Sequence, residues 1–179
     1  ATMGHFIANK SVQKLFKIAP NLALTTAGLV GHAQSLSRTL NAETTLYQLK
    51  RGHSMTVKGA ATLTANILLG RPYWVQLLIV GVDDSGPSVY SIDGAGGSIP
   101  DVYCATGSGS PYMYGVLEDG FREGMNKNDA IKLAARALLA SGQRDAASGN
   151  GMDLAYITQS EGFVLLSDAE VDKIIASLK

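Results

Sequence analysis

Cysteine is nearly absent: Cys104 stands alone among 179 residues. One thiol cannot close a disulfide within the chain, and such scarcity fits a reducing compartment. In its apolar run Cys104 reads as a small buried hydrophobe rather than a reactive group. Net charge is absent as well. Fifteen Lys and Arg balance fifteen Asp and Glu, so no global field draws the protein to nucleic acid or anionic lipid. Long apolar runs are missing too. The longest, 74–82, is interrupted by Gln76 and falls far short of a membrane span. No signal peptide opens the chain. The expectation is a cytoplasmic protein with no nucleic-acid or membrane partner. Metal-ligand spacing is lacking: His5, His32 and His53 are scattered, none with a second ligand at the interval of a known site. Neither metal nor cofactor is expected. No Gly-x-Ser-x-Gly elbow occurs, which leaves an α/β-hydrolase serine without support.

What is present is a composition of 46% hydrophobic and 17% charged residues, that of a globular chain long enough for a sizeable core. With no linker, internal repeat or low-complexity tract, one domain over 1–179 is expected. Strand-like runs at 15–18 and 22–27 flank Pro20-Asn21, a turn signal. Helical periodicity follows over 32–51, ending at Gly52, and over 56–69, where Val57, Ala60, Ala61, Thr64, Ile67 and Leu68 form a stripe of small and aliphatic residues. Such side chains let two helices approach closely, so the two are expected to form an antiparallel pair.

The period then changes. Segments 75–82, 88–92 and 102–105 read as strands, separated by Asp83-Asp84-Ser85-Gly86-Pro87 and Gly94-Ala95-Gly96-Gly97, both turn-rich. The first is apolar almost throughout, as a central strand covered on both faces would be. Helices are expected over 111–123 and over 127–141, the latter with Ile131, Ala134, Ala135 and Leu138 on one face and a stop at Gly142. A hairpin over 152–158 and 163–166 precedes a terminal helix, 169–178, opened by a Ser167/Glu170 capping box. Strands, two helices, strands, two helices, strands and a helix are not the alternation of a doubly wound sheet. That order suits an α+β fold with helix layers on two sheets packed face to face.

The most conspicuous motif, Thr106-Gly107-Ser108-Gly109-Ser110-Pro111, lies between a strand and a helix, where amides attract anions. A dinucleotide fingerprint needs a third glycine where Tyr112 stands, and the Walker pattern needs a Lys-Ser/Thr pair that is missing. A glycine turn with Ser110 capping the helix is the simpler reading. Asp83-Asp84 likewise reads as a solvated turn.

Taken together, Lys14-Leu15-Phe16, Gly28-Leu29-Val30-Gly31, Ser91-Ile92-Asp93, Gly94 with Gly96-Gly97-Ser98, the 105–110 glycine-serine loop and Arg144-Asp145-Ala146-Ala147-Ser148-Gly149 resemble successive hallmarks of proteasome core-particle β subunits, nearest the archaeal type. The resemblance runs from end to end. It implies the four-layer αββα sandwich of N-terminal-nucleophile hydrolases. It also implies a threonine protease whose mature first residue attacks the peptide carbonyl while its own α-amine serves as base. The amine suits that task because its pKa lies near operating pH.

By the same resemblance Lys14 is the catalytic lysine, whose ammonium favours the nucleophilic form. Gly28 supplies the oxyanion-stabilising N–H, and Ser110, Asp145 and Ser148 orient the threonine and its amine. Ala1, Val12, Thr26 and Val30 match the lining of the pocket for the residue before the scissile bond, and small aliphatic linings accept large apolar side chains. The implied partners are sibling β subunits in a seven-membered ring, proteasome α subunits and unfolded polypeptide substrate. The family's first hairpin, with the threonine and an acidic partner of the lysine, is expected to precede Ala1-Thr2-Met3. Thr2 is then not the nucleophile, and a chain limited to these residues is expected to be inactive. A non-catalytic, structural β-type ring subunit is the alternative. His32 stands where the family usually has an acidic residue, and reads by default as a solvated histidine at a helix start.

Overall fold

Pro20-Asn21 does form a turn, between β3 (Leu15–Ala19) and β4 (Leu22–Gly28). The computed structural model describes residues 2–3, 6–7, 12–71, 73–149 and 151–178. Their elements run β1 (Thr2–Met3), β2 (Phe6–Ile7), β3, β4, α1 (Val30–Arg51), α2 (Val57–Leu69), β5 (Val75–Asp83), β6 (Gly86–Asp93), β7 (Ser98–Asp101), α3 (Ser110–Gly120), α4 (Lys127–Arg144), β8 (Ala155–Thr158), β9 (Gly162–Leu165) and α5 (Asp168–Ser177). This is the expected α+β class. The chain divides into two compact units: one of Lys14–Gly107 with Ile157–Phe163, the other of Ala1–Gln13, Ser108–Tyr156 and Val164–Lys179.

The first unit is an antiparallel sheet in the order β3-β4-β5-β6-β7, carrying α1 and α2. β5 is central, as its apolar run suggested. Val75, Leu77 and Ile79 are buried on one face, and Leu78 and Val80 are half-buried on the other. The buried face joins Leu36 and Leu40 of α1 and Val57, Ala60, Ala61 and Leu68 of α2 in one core. The two helices rest mainly on the sheet rather than on each other. The small residues of α2 therefore seat that helix closely over the strands, and do not serve the helix pairing expected of them. A register irregularity between Lys17 and Ala19 interrupts the β3–β4 ladder. The Ile18 carbonyl there accepts from Asn41 Nδ2 at 2.9 Å and Thr44 Oγ1 at 3.2 Å, which tie α1 to the sheet.

The turn read at Gly94-Ala95-Gly96-Gly97 forms between β6 and β7. Asp93 Oδ1 accepts the amides of Ala95 (2.8 Å) and Gly97 (3.0 Å), so the chain reverses at once and β7 begins at Ser98. The strand expected over 102–105 does not form. Its place is taken by Ser98–Asp101, where Pro100, which has no N–H to give, is tolerated on a sheet edge.

In the second unit α4 lies between two partners. Leu133 meets α3 at Gly120, where a Cβ would overlap the leucine. Ala135 joins Leu154 and Val171 of α5 in a separate core, with Ile131 and Leu138 beside it. Of the expected face, Ile131, Ala135 and Leu138 are in that core and Ala134 alone is exposed; helical spacing puts Leu133, Ala137 and Ser141 on a second stripe, also buried. The helix does not stop at Gly142. It continues to Arg144 and closes with the Asp145 amide on the Ser141 carbonyl at 2.8 Å. Ser167 and Glu170 do form the α5 box, the carboxylate accepting the Ser167 amide at 2.8 Å and its hydroxyl at 2.6 Å.

Candidate active site

In the sheet unit the site residues cluster where β3 begins and β4 ends. Lys14 is exposed just before β3, and its carbonyl accepts the Thr26 amide at 2.9 Å. On the other side of β4 the Leu29 amide bonds the Trp74 carbonyl at 2.9 Å, one step beyond the Gly28–Val75 pair. Backbone groups of a strand alternate sides. The Gly28 N–H therefore points the same way as that of Thr26, toward β3, but past the first residue of that strand. Among the described residues the β3–β4 pairing ends at Leu15–Thr25, so no ladder partner faces that donor. Gly28 has φ +111°, and a Cβ there would overlap the Trp74 carbonyl oxygen. Glycine is required on both counts.

Of the residues expected to line the pocket, Thr26 is buried, and Val12 and Val30 are half-buried. Ala1 lies outside the described residues. His32, expected to be solvated, is half-buried in the first turn of α1. Its Nδ1 accepts the Trp74 amide at 3.1 Å, and its ring stands edge-on to Tyr73 at 5.1 Å. A carboxylate and a neutral imidazole share the capacity to accept, which gives a physical account of a histidine where an acidic residue was expected. Gln76, on β5, holds the start of the glycine-serine loop by accepting the Gly107 amide at 3.1 Å.

In the helical unit the loop after α4 closes on itself. Asp145 Oδ2 accepts from the Ser108 hydroxyl at 2.6 Å and from the Ser148 hydroxyl at 2.7 Å, while Oδ1 takes the Ala147 amide at 3.1 Å. Ser148 lies 2.9 Å from Ser141 Oγ. A serine hydroxyl has one proton. With that of Ser148 committed to Asp145, the donor of the Ser141–Ser148 bond is Ser141. Ser108 and Ser148 thus give their protons inward to the carboxylate and keep oxygen lone pairs available to another donor. Gly109 makes the approach possible: it is buried, and a Cβ would overlap Ser141 Oγ and lie 2.9 Å from Ser148 Oγ.

Ser110, the serine singled out from the sequence, occupies a different place. It is the first helical residue of α3, with Gly109 at the N-cap position and no side-chain cap, and no hydrogen bond joins its side chain to Asp145 or Ser148. Ser108 holds the position by the aspartate. Both serines belong to one short motif, and only the direction in which the loop turns separates them. The same geometry weakens a phosphate-binding reading of 106–111, because the Asp145 carboxylate stands against that loop. Among the described residues no three His, Cys, Asp or Glu side chains converge to hold a metal ion. Cys104 is half-buried beside Asp101; burial, then the aspartate, pushes its thiol above the usual range, against a lowering hydrogen bond from Ser91.

The proteasome subunit family matches residues 1–157. The chain belongs to that family. A proteasome subunit beta of Methanohalophilus mahii is 48% identical over the whole of this chain and 87% of its own length. One from Archaeoglobus profundus is 49% identical over the whole chain and 85% of its length, and one from Methanosarcina barkeri 50% over 99% and 86%. The resemblance read from the motifs is thus the family relationship, and it extends across both units. The α+β architecture with antiparallel sheets accords with the sandwich fold expected of that family. No helix among the described residues is long and apolar enough to cross a membrane.

Proposed function

We propose that this chain is the catalytic β subunit of a self-compartmentalised proteasome, a threonine-type endopeptidase that degrades unfolded polypeptides. The observation that carries this reading is the Ser108–Asp145–Ser148 cluster, retained in a chain of the proteasome family. A purely structural ring subunit has no use for two hydroxyls whose protons are turned inward onto a carboxylate. Such a cluster suits an amine: the serine oxygens accept its N–H groups, and the carboxylate balances charge when it takes a proton.

In this reading the nucleophile is a threonine carried ahead of Ala1 in the full-length subunit. Its α-amine, held by Ser108 and Ser148, removes the hydroxyl proton as the oxygen attacks the peptide carbonyl. Lys14 supplies a fixed positive charge that favours the alkoxide-like nucleophile. The Gly28 amide, with no ladder partner among the described residues, donates to the oxygen that becomes negative in the tetrahedral intermediate. Such a donor is worth about 10²–10³ in rate. The amine then returns its proton to the leaving nitrogen, and water releases the acyl group by the same route. Ala1, Val12, Thr26 and Val30 line the pocket for an apolar residue before the scissile bond. The subunit works in a seven-membered β ring in the cytoplasm, capped by α subunits.

The test is hydrolysis of a fluorogenic peptide with an apolar residue before the cleavage point by the full-length subunit, assembled with its α partner. Turnover that disappears on Lys14→Ala and on Asp145→Asn supports the reading. An assembled particle with no turnover would establish the structural alternative instead.

A further inference from the structure

The residues ahead of β5, Tyr73 and Trp74, form a short strap across the end of β4. They lie so close that glycine is needed beneath each: a Cβ at Gly94 would overlap the Tyr73 carbonyl oxygen, and one at Gly28 the Trp74 carbonyl oxygen. Trp74 is gripped at both of its backbone groups. Its carbonyl accepts the Leu29 amide at 2.9 Å, and its N–H donates to His32 Nδ1 at 3.1 Å. Tyr73 packs edge-on against the same imidazole. Leu29 and His32 are joined in turn by the opening of α1, where the Leu29 carbonyl accepts the Ala33 amide at 3.1 Å. The end of β4, the first turn of α1 and the strap therefore close into one ring of bonds. Gly28 lies inside it, with its amide directed past the first residue of β3. Among the described residues no strand partner faces that amide from the β3 side, so its direction rests on the opposite side, on the last pairs of the β4–β5 ladder and on the strap just beyond them.

We infer that His32 is a positioning residue: by accepting the Trp74 amide it holds the strap against Gly28 and so aims the Gly28 N–H. The inference rests on the reading of Gly28 as the oxyanion donor. His32 touches neither substrate nor nucleophile; it acts through Trp74. What the position requires is an acceptor on a short arm. Asn Oδ1 lies almost where a histidine Nδ1 lies, whereas Gln carries its oxygen one methylene farther and Ala offers none.

The experiment compares His32→Ala, His32→Asn and His32→Gln in the full-length, α-capped particle. Two quantities are read: steady-state hydrolysis of the same fluorogenic peptide, and hydrogen exchange of the segment holding the Trp74 amide. Loss of aim should appear in the transition state rather than in ground-state binding. For His32→Ala the expected result is a fall in kcat of about tenfold, part of the effect of deleting an oxyanion donor outright, with KM within about twofold. Exchange at Trp74 should rise about tenfold or more. His32→Asn should restore both quantities, and His32→Gln neither. If His32→Ala does not assemble, the Asn and Gln variants decide alone, since both fill the space and differ in where the acceptor stands. Equal kcat for Asn and Gln, or an alanine variant as active as wild type, overturns the inference and leaves the protease reading standing. A wild-type particle without turnover overturns that reading instead, while the exchange comparison still shows whether His32 holds the strap.

Discussion

Asp145 accepts two hydroxyl hydrogen bonds on a single oxygen, and the identity of those hydroxyls favours one serine of the motif for the proposed chemistry. Ser108 Oγ lies 2.6 Å from Oδ2, whereas Ser110 is a helical residue of α3. Short hydrogen bonds to an ionised acceptor are about twice as strong as neutral ones, and they fix the rotamer of the group that gives them. Ser108→Ala should therefore lower kcat by about tenfold or more, within the range of positioned acid–base groups, and Ser110→Ala should change it less than about threefold. The comparison of kcat for the two variants against one fluorogenic peptide checks this; equal losses would put Ser110 back in the site. Ser141 belongs to the same chain of bonds. It is buried on the α4 stripe that also carries Leu133 and Ala137, and its proton goes to Ser148. Composition could not reveal it, because a serine on a small-residue helix face looks like any alanine substitute until Gly109 is seen pressed against it.

Among the elements, α2 shows how a turn can serve a helix far from it in sequence. Thr56 caps its start by accepting the Gly59 amide at 3.0 Å, and Asp83 Oδ2, from the β5–β6 turn, takes the Val57 amide at 2.8 Å. Asp83 read as a solvated turn residue because its helix partner lies 26 positions away. Asp83→Ala should destabilise the subunit by about 1–2 kcal/mol, the upper part of the range for a lost helix cap, and Asp83→Asn by less. Denaturant midpoints of the two variants measure this, and an alanine variant as stable as wild type would deny the cap its role. α5 gives a pH prediction. The Ser167 hydroxyl, then the Ser167 amide, hold the Glu170 carboxyl below its ordinary value. A carboxylate with a lowered pKa contributes stability that is complete above its unfolded value and is lost as pH falls through the folded one. Protection of the first amides of α5 from hydrogen exchange should thus persist at about pH 5 and fade only below the ordinary carboxylate range. Fading already between about pH 6 and pH 5 would contradict it. The box was legible from Ser167 and Glu170 alone because capping is local chemistry. So were the strand turn at Pro20-Asn21 and the central place of β5, which local composition dictates. The edge strand β7 was not, since Pro100 argues against a strand until the Asp93 turn shows that only the outer side of the sheet is involved. Nor was the small-residue stripe of α2, whose partner a sequence cannot name.

At the scale of the whole molecule, the surface carries apolar side chains that neither unit buries by itself. Leu46 and Leu49 are 44% and 79% exposed on the outer side of α1, three residues apart and therefore neighbours on one helix face. Their counterparts on the buried side, Leu36 and Leu40, are inside the core, so α1 is apolar on two faces while needing only one to hold the sheet. A helix of that kind suits a subunit whose second face is covered by assembly. The proposed ring gives that face a partner in another subunit. Covering a leucine is worth about 1.5–3 kcal/mol, enough for a pair of them, repeated at each contact, to decide whether rings close. The double variant Leu46→Lys/Leu49→Lys should fold, because neither side chain contributes to the core, yet be impaired in assembly, because each lysine would have to be desolvated without an arranged partner. Circular dichroism of the isolated subunit should match wild type, and size-exclusion chromatography with light scattering, after mixing with α subunits, should show smaller species than the wild-type particle. A double variant that assembles as completely as wild type would mean that the exposed leucines of α1 face solvent in the particle, and that the ring is closed by other surfaces.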